Sequence, residues 1–426
     1  MEIDQTKMKK INDNFFKHSL FIFIASLIMN ATGYFFHFFI GRTLGPASYG
    51  VLGTLLTILY IINVPFNTIQ TTMSKFIAQI RSHEKQNSIN HLLRSTLKKI
   101  FGLSLGVFIL YIFFSKFIAD FLKIDQLAPV ILMGTLVIFA LLLSITWGVL
   151  QGLQKFKSLG SSMIFQGIVK LSLGLLLVFL GLGVNGAIIA IVLAFFLPFL
   201  ITLYTLKKYL VKGEKVYNSV EIFHYSIPVL IAMLSITLLF SLDVFLVKHF
   251  FSDIEAGYYA ALAMLGKVIY FGSISIVYVM FPKVVELNEK NLPSRNILVK
   301  SLLIVATFCG LATLFYFIFP KFTISLLFGN DFLSIAPLLG KFAIFMSVLA
   351  LVYVLIFYNL SLHKKSFIFL LVSFNILEII LFVFFHKSIA QVVYILLGLS
   401  LSLFLFLIIY TFSRMKNGSL NSNTSL

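Results

Sequence analysis

Apolar runs of membrane-crossing length follow one another along this chain with little between them, and that succession limits what it can fold into. A helix needs about 20 residues to cross roughly 30 Å of hydrocarbon. Runs of that order occupy residues 18–40, 46–73, 97–119, 128–151, 159–180, 185–206, 222–248, 255–281, 297–319, 335–360, 366–385 and 389–412. In lipid each backbone group has to be satisfied within its own segment, which makes such runs helices. A β-barrel would show shorter segments of alternating polarity instead. The composition agrees: 60% of the residues are hydrophobic and 11% charged, where a soluble domain has about a quarter charged. The chain reads as an all-α polytopic membrane protein with about 12 transmembrane helices.

Charge sets the expected orientation. An even number of spans puts both termini on one side. Loops and tails on that side carry 24 Lys and Arg residues, and the opposite loops carry 6, namely Arg42, Lys116, Lys123, Lys248, Lys321 and Lys387. The asymmetry predicts a multi-pass protein of the cell (cytoplasmic) membrane with both termini in the cytoplasm. The net charge of +18 is then a matter of topology and anionic headgroups, with no nucleic-acid partner implied. Lys7, Lys9, Lys10 and Lys17 precede a full-length span with no small-residue cleavage site, so no cleavable signal is expected. The single cysteine, Cys309, lies in an apolar span and cannot form an internal disulfide.

The chain divides near its middle. The polar stretch 207–220 separates six spans from six, giving an N-terminal lobe 1–206, a cytoplasmic linker 207–220, a C-terminal lobe 221–412 and a polar cytoplasmic tail 413–426. The run FFIGRTLGPASYGVLGTL joins the first two spans, and VFLVKHFFSDIEAGYYAALAML joins the seventh and eighth. Aligning Ala47-Ser48-Tyr49-Gly50 with Ala256-Gly257-Tyr258-Tyr259 keeps a short turn, a tyrosine and an apolar run in step. Six spans per half makes this a parallel repeat about an axis along the membrane normal, a layout in which transporters bind substrate between the halves.

Polar residues inside spans carry the functional reading. A lysine at mid-bilayer costs about 2.5–3.5 kcal/mol on insertion scales, so such residues face a cavity or a partner. Lys170, Lys267, Lys341, Asp243 and Glu378 qualify, and Lys341, near a span end, can snorkel to the interface. Span one aligns Ser26, Asn30, Gly33, His37 and Gly41 on one helical face, which suits either a polar path or close small-residue packing. His37 there reads as a packed polar side chain more than as a proton carrier. Span two aligns Asn63, Asn67, Gln70 and Ser74, and span five aligns Ser162, Gln166, Lys170 and Gly174. With Arg42 at the mouth of span one, Lys170 and Lys267 make the interior cationic. Positive charge among amides and hydroxyls suits an anionic, polyhydroxylated ligand, a description that pyrophosphate and sugar fit. The expected substrate-binding set is Arg42, Lys170, Lys267, Asn30, His37, Asn63, Asn67 and Gln166. Asp243 and Glu378 either neutralise the buried lysines or take part in coupling to a cation.

Catalytic signatures are missing. The chain has no GxxxxGK[ST] phosphate loop, no HExxH, no paired cysteines and no GxSxG elbow, so no enzyme, cofactor or metal site is expected.

The hairpin FFIGRTLGPASYGVLGTL, the segment TTMSKFIAQ that follows it, QGLQKFK after span four and AGYYAAL at the start of span eight resemble one known group. It is the polysaccharide transporter and O-antigen flippase group of the multidrug/oligosaccharidyl-lipid/polysaccharide exporter superfamily, which has a MATE-like fold. The resemblance implies two six-helix bundles in a V around a central cavity. It implies transfer of a polyprenyl-pyrophosphate-linked oligosaccharide from the cytoplasmic to the outer leaflet by alternating access, with cavity cations holding the pyrophosphate. Some members of the group couple to a Na+ or H+ gradient through helices seven, eleven and twelve, and the resemblance would assign that role to Asp243, Asn375 and Glu378 on the first two of these; it also implies work beside other polysaccharide-assembly proteins. The related lipid II flippases have fourteen spans and more arginines, a departure from the twelve spans and lysines here. Two other readings stand beside this one: a drug/cation antiporter of the same fold, and a membrane polysaccharide polymerase or ligase.

Overall fold

A computed structural model describes residues 5–82, 86–211, 220–289, 292–362 and 366–421. Much of the 207–220 linker and the end of the tail lie outside the described residues. All regular structure among the described residues is helical, with thirteen α-helices and short 3-10 and π segments. They are α1 (Gln5–Ser82), α2 (Gln86–Phe121), α3 (Leu127–Gly152), α4 (Phe156–Leu177), α5 (Gly183–Thr205), α6 (Val220–Leu239), α7 (Leu242–Phe250), α8 (Asp253–Glu289), α9 (Arg295–Ile318), α10 (Pro320–Leu327), α11 (Ala336–Ser361), α12 (Phe367–Phe384) and α13 (Ile389–Asn421).

Among the described residues, eight stretches are long and apolar enough to cross a membrane, or nine if the α6–α7 pair is one bent span. Two of the eight are about twice the needed length, 58 residues at Phe21–Ala78 and 50 at Phe156–Thr205. Glycines in left-handed conformations break each of them near the middle. Gly45 at φ 71° interrupts α1, and Gly181 at φ 87° separates α4 from α5. No side chain with a Cβ takes such angles cheaply, and Pro46 then restarts the helix without needing a donor. These breaks, together with α8, fit the twelve expected spans. The expected turn 41–45 is shorter than the sequence suggests, because Gly41–Leu44 stay helical and Gly45 alone has non-helical angles.

Two compact units result. One contains residues 1–44 and 58–224, and the other contains 45–57 and 225–426. The expected N-terminal lobe 1–206 was unbroken. Instead residues 45–57, the first half of span two, pack with the second unit. Hydropathy could not show this, since an apolar helix reads the same whichever neighbour it touches.

Burial differs among the spans within each unit. In the first, 11% of the apolar stretch in α2 is buried against 72% in α3, and in the second, 22% in α9 against 78% in the segment ending in α11. In the first unit α3 packs on α2 and α5, and Gly148 and Gly152 take the tail of α1 against their backbones. Without a hydrophobic drive in lipid, such close small-residue contacts hold helices together. Gly160, Gly167 and Gly174 of α4 likewise seat Phe21, Met29 and Phe36 of α1. Trp147, buried in α3, donates to Ser162 Oγ at 2.9 Å and meets Phe66 and Phe195 edge-on.

In the second unit α11 packs on α8, α9 and α13. Ser252 and Glu255 form a reciprocal cap at the start of α8, and the buried Lys248 pairs with Asp253 beside it. The stretch after residue 319, expected as an outer loop, is itself helical. It forms α10 and a 3-10 turn, with Ile324, Phe328 and Phe332 buried.

Candidate functional site

The first unit gathers one lysine and several amides. Lys170 stands on α4 in the row that contacts α1. Its Nζ lies 5.4 Å from the centre of the Phe36 ring and would be 3.1 Å from a Cβ placed on Gly33. Glycine at 33 leaves the ammonium its room, and the ring face meets the cation. Gln166, one turn away on α4, is buried. Lys170 forms no ion pair among the described residues. Asn63 and His37 are half-buried, while Asn30, Asn67 and Arg42 are exposed. Ser26 bonds back to the Phe23 carbonyl and Thr32 to Ile28 and Met29, so the polar face of span one is partly satisfied locally. Lys341 donates to the Tyr394 hydroxyl, in keeping with an interfacial place.

The second unit gathers the acids. The seventh span, expected as one helix over 222–248, is broken at Phe240-Ser241 into α6 and α7, bent by 40°. The break puts Asp243 in the first turn of α7, where a negative charge is favoured. Its Oδ1 accepts from the Val244 N–H at 2.8 Å and its Oδ2 from the Tyr259 hydroxyl at 2.6 Å. Lys267, on α8 two turns beyond Tyr259, is within electrostatic reach of Asp243 and lies 5.6 Å from the Phe240 ring centre. Glu378 of α12 is 1% exposed and also within electrostatic reach of Asp243. Neither of its oxygens has a hydrogen-bond partner among the described residues. Asn375, one turn away, donates to the Ser235 and Leu371 carbonyls at 3.1 and 2.9 Å, leaving its own oxygen unpaired. The Ser241 hydroxyl, at the break, is buried and unpaired too.

Thus the structure brings Asp243, Asn375, Glu378 and Lys267 together and sets Lys170 with Gln166 elsewhere. Lys267, expected as a second anion-binding cation, is among acids. Sequence reasoning missed Ser241 and the break. The signal was there, since a serine two residues before an aspartate is a helix-start pattern even within an apolar run.

Among the described residues the chain is all-helical, forms two units, and holds a buried charge at the start of a broken span, an arrangement of the MATE-like fold. Solved structures share that fold. An inward-facing MATE-family multidrug transporter superposes with a TM-score of 0.79 over 96% of this chain and 99% of that one, at 12% identity. The lipid II flippase MurJ superposes with a TM-score of 0.71 over 93% and 87%, at 14% identity. The chain belongs to the polysaccharide biosynthesis protein family, whose family model matches residues 15–288. An uncharacterized membrane protein of Methanocaldococcus jannaschii is 23% identical over 299 residues, 66% of this chain and 70% of that protein.

Proposed function

We propose that this transporter moves a polyprenyl-pyrophosphate-linked oligosaccharide from the cytoplasmic to the outer leaflet of the cytoplasmic membrane, by alternating access. Both termini then lie in the cytoplasm, and the polysaccharide-assembly proteins that make and use the glycan are its functional partners. The observation that carries this reading is Lys170. It is a cation in mid-helix that forms no ion pair among the described residues, with room beside Gly33 and an amide one turn away. A diphosphate supplies the missing negative charge, and low dielectric strengthens the contact. The test is where the lipid-linked glycan accumulates in cells whose only copy is Lys170→Ala. Accumulation on the cytoplasmic leaflet supports the reading, and normal surface glycan overturns it.

The acid cluster of the second unit favours coupling to Na+ or H+, since Glu378 and Asn375 hold unpaired oxygens near Asp243. Glu378→Gln is expected to remove the ion dependence of transport while the protein accumulates normally. The same cluster is the one observation that favours a drug/cation antiporter. That alternative predicts drug sensitivity on deletion with polysaccharide intact.

A further inference from the structure

Within the second unit, α11 and α13 both begin on the face that the charge asymmetry assigns outward, and an open groove lies at the start of α13. It has a volume of about 610 Å³ and is lined by Lys387, Ser388, Ala390, Gln391, Tyr394 and Ile395. Lys341 reaches it from the second turn of α11. Its ammonium donates to the Tyr394 hydroxyl and stands 4.8 Å from the centre of that ring. Two lysines from two helices therefore border one groove. No acid lines it, and neither lysine forms an ion pair among the described residues. Ser388 and Gln391 cap the helix start reciprocally. Ser388 Oγ accepts from the Gln391 N–H at 3.2 Å, and Gln391 Oε1 accepts from the Lys387 N–H at 2.8 Å. The positive end of the α13 dipole adds to the two ammonium groups.

The groove continues into an apolar row. Tyr394, Gly398, Leu401, Leu405 and Ile409 follow one another at helical spacing along α13, and all are exposed. A Cβ on Gly398 would meet nothing within 4 Å, so the row holds an empty notch between Tyr394 and Leu401. The opposite row, from Val392 to Leu407, is buried. A lysine that only snorkels needs neither the groove nor a second lysine. A free anion would use the charged end and leave the notched row idle, whereas a lipid uses both.

We propose that this groove binds an anionic phospholipid of the outer leaflet. Lys341 and Lys387 hold its phosphate, with Tyr394 fixing the Lys341 ammonium, and one acyl chain runs along α13 through the notch at Gly398. The site is independent of the substrate proposed above.

The test is native mass spectrometry of the purified, delipidated full-length protein, titrated with phosphatidylglycerol or with phosphatidylcholine of identical chains. The first phosphatidylglycerol is expected to bind about tenfold more tightly than phosphatidylcholine. Lys341→Gln combined with Lys387→Gln is expected to weaken phosphatidylglycerol about 30-fold, roughly fivefold per lysine, and to erase the preference. Gly398→Leu, whose Cβ meets no neighbour, is expected to weaken both lipids alike and to keep the preference. Equal binding of the two lipids by the wild-type protein overturns the proposal without recourse to any variant, and so does a preference that survives in the double variant. Unchanged binding in Gly398→Leu overturns the course of the chain. Displacement of the lipid by millimolar inorganic phosphate marks a free-anion site, and displacement by a tenfold lower concentration of polyprenyl diphosphate marks a substrate site. Either result overturns the assignment to a phospholipid.

Discussion

Lys170 and Lys267 are alike in type and in their place along apolar helices, and each belongs to one of the two units. Lys170 lies over a phenylalanine ring and beside a glycine, and forms no ion pair among the described residues. Lys267 is 3% exposed and within electrostatic reach of Asp243, which the Tyr259 hydroxyl also holds. A charge that the protein itself balances is structural, and one it leaves unbalanced is available to a ligand. The two units thus share a plan but differ in what they hold. On the function proposed above, the first supplies positive charge to the substrate and the second keeps a charge balance that a coupling cation alters.

The comparison breaks most visibly in stability. Lys267→Met leaves Asp243 and Glu378 buried without their cation and is expected to destabilise the second unit by about 3–5 kcal/mol, read by thermal unfolding in detergent. Adding Asp243→Asn should recover much of that, whereas Lys170→Met should cost little or stabilise. The next effect is functional. Lys170→Ala should lower glycan transfer in reconstituted vesicles by the worth of a charged hydrogen bond, about 1.5–3 kcal/mol or roughly 10- to 150-fold, and Lys170→Arg should retain part. A third test bears on how α4 is held. Gly167→Ala puts a methyl group into the Thr32 hydroxyl and the Met29 backbone, and overpacking of this kind costs about 1–3 kcal/mol, visible as a lower melting temperature. The smallest effect is that of Tyr259→Phe. It removes the 2.6 Å bond to Asp243 and should cost about 1 kcal/mol while making transport more sensitive to the coupling ion. Equal costs for Lys170→Met and Lys267→Met would erase the distinction between the units.

The sequence made part of this legible. Span limits, the polar rows of spans one and five, and the two intramembrane acids follow from helical period and the cost of charge in lipid, and each falls on a helix here. Which buried lysine stands by Asp243 is not legible in the sequence, because Lys267 and Asp243 are 24 residues apart and no helical spacing joins them. The break at Ser241 is hidden because apolar residues continue through it, and hydropathy does not register backbone direction. The allegiance of residues 45–57 is hidden for a related reason, since Gly50 and Gly257 meet across more than two hundred residues.

Trp147 is the only tryptophan in the chain, and it lies wholly within the first unit. It is 4% exposed, bonded to Ser162 and flanked by Phe66 and Phe195. Its emission therefore comes from one half of the molecule and is silent about the other. A protein with one such lamp separates the melting of its halves without labels: far-ultraviolet dichroism sees both, fluorescence sees one, and the difference between the two curves belongs to the unit that holds Asp243 and Glu378.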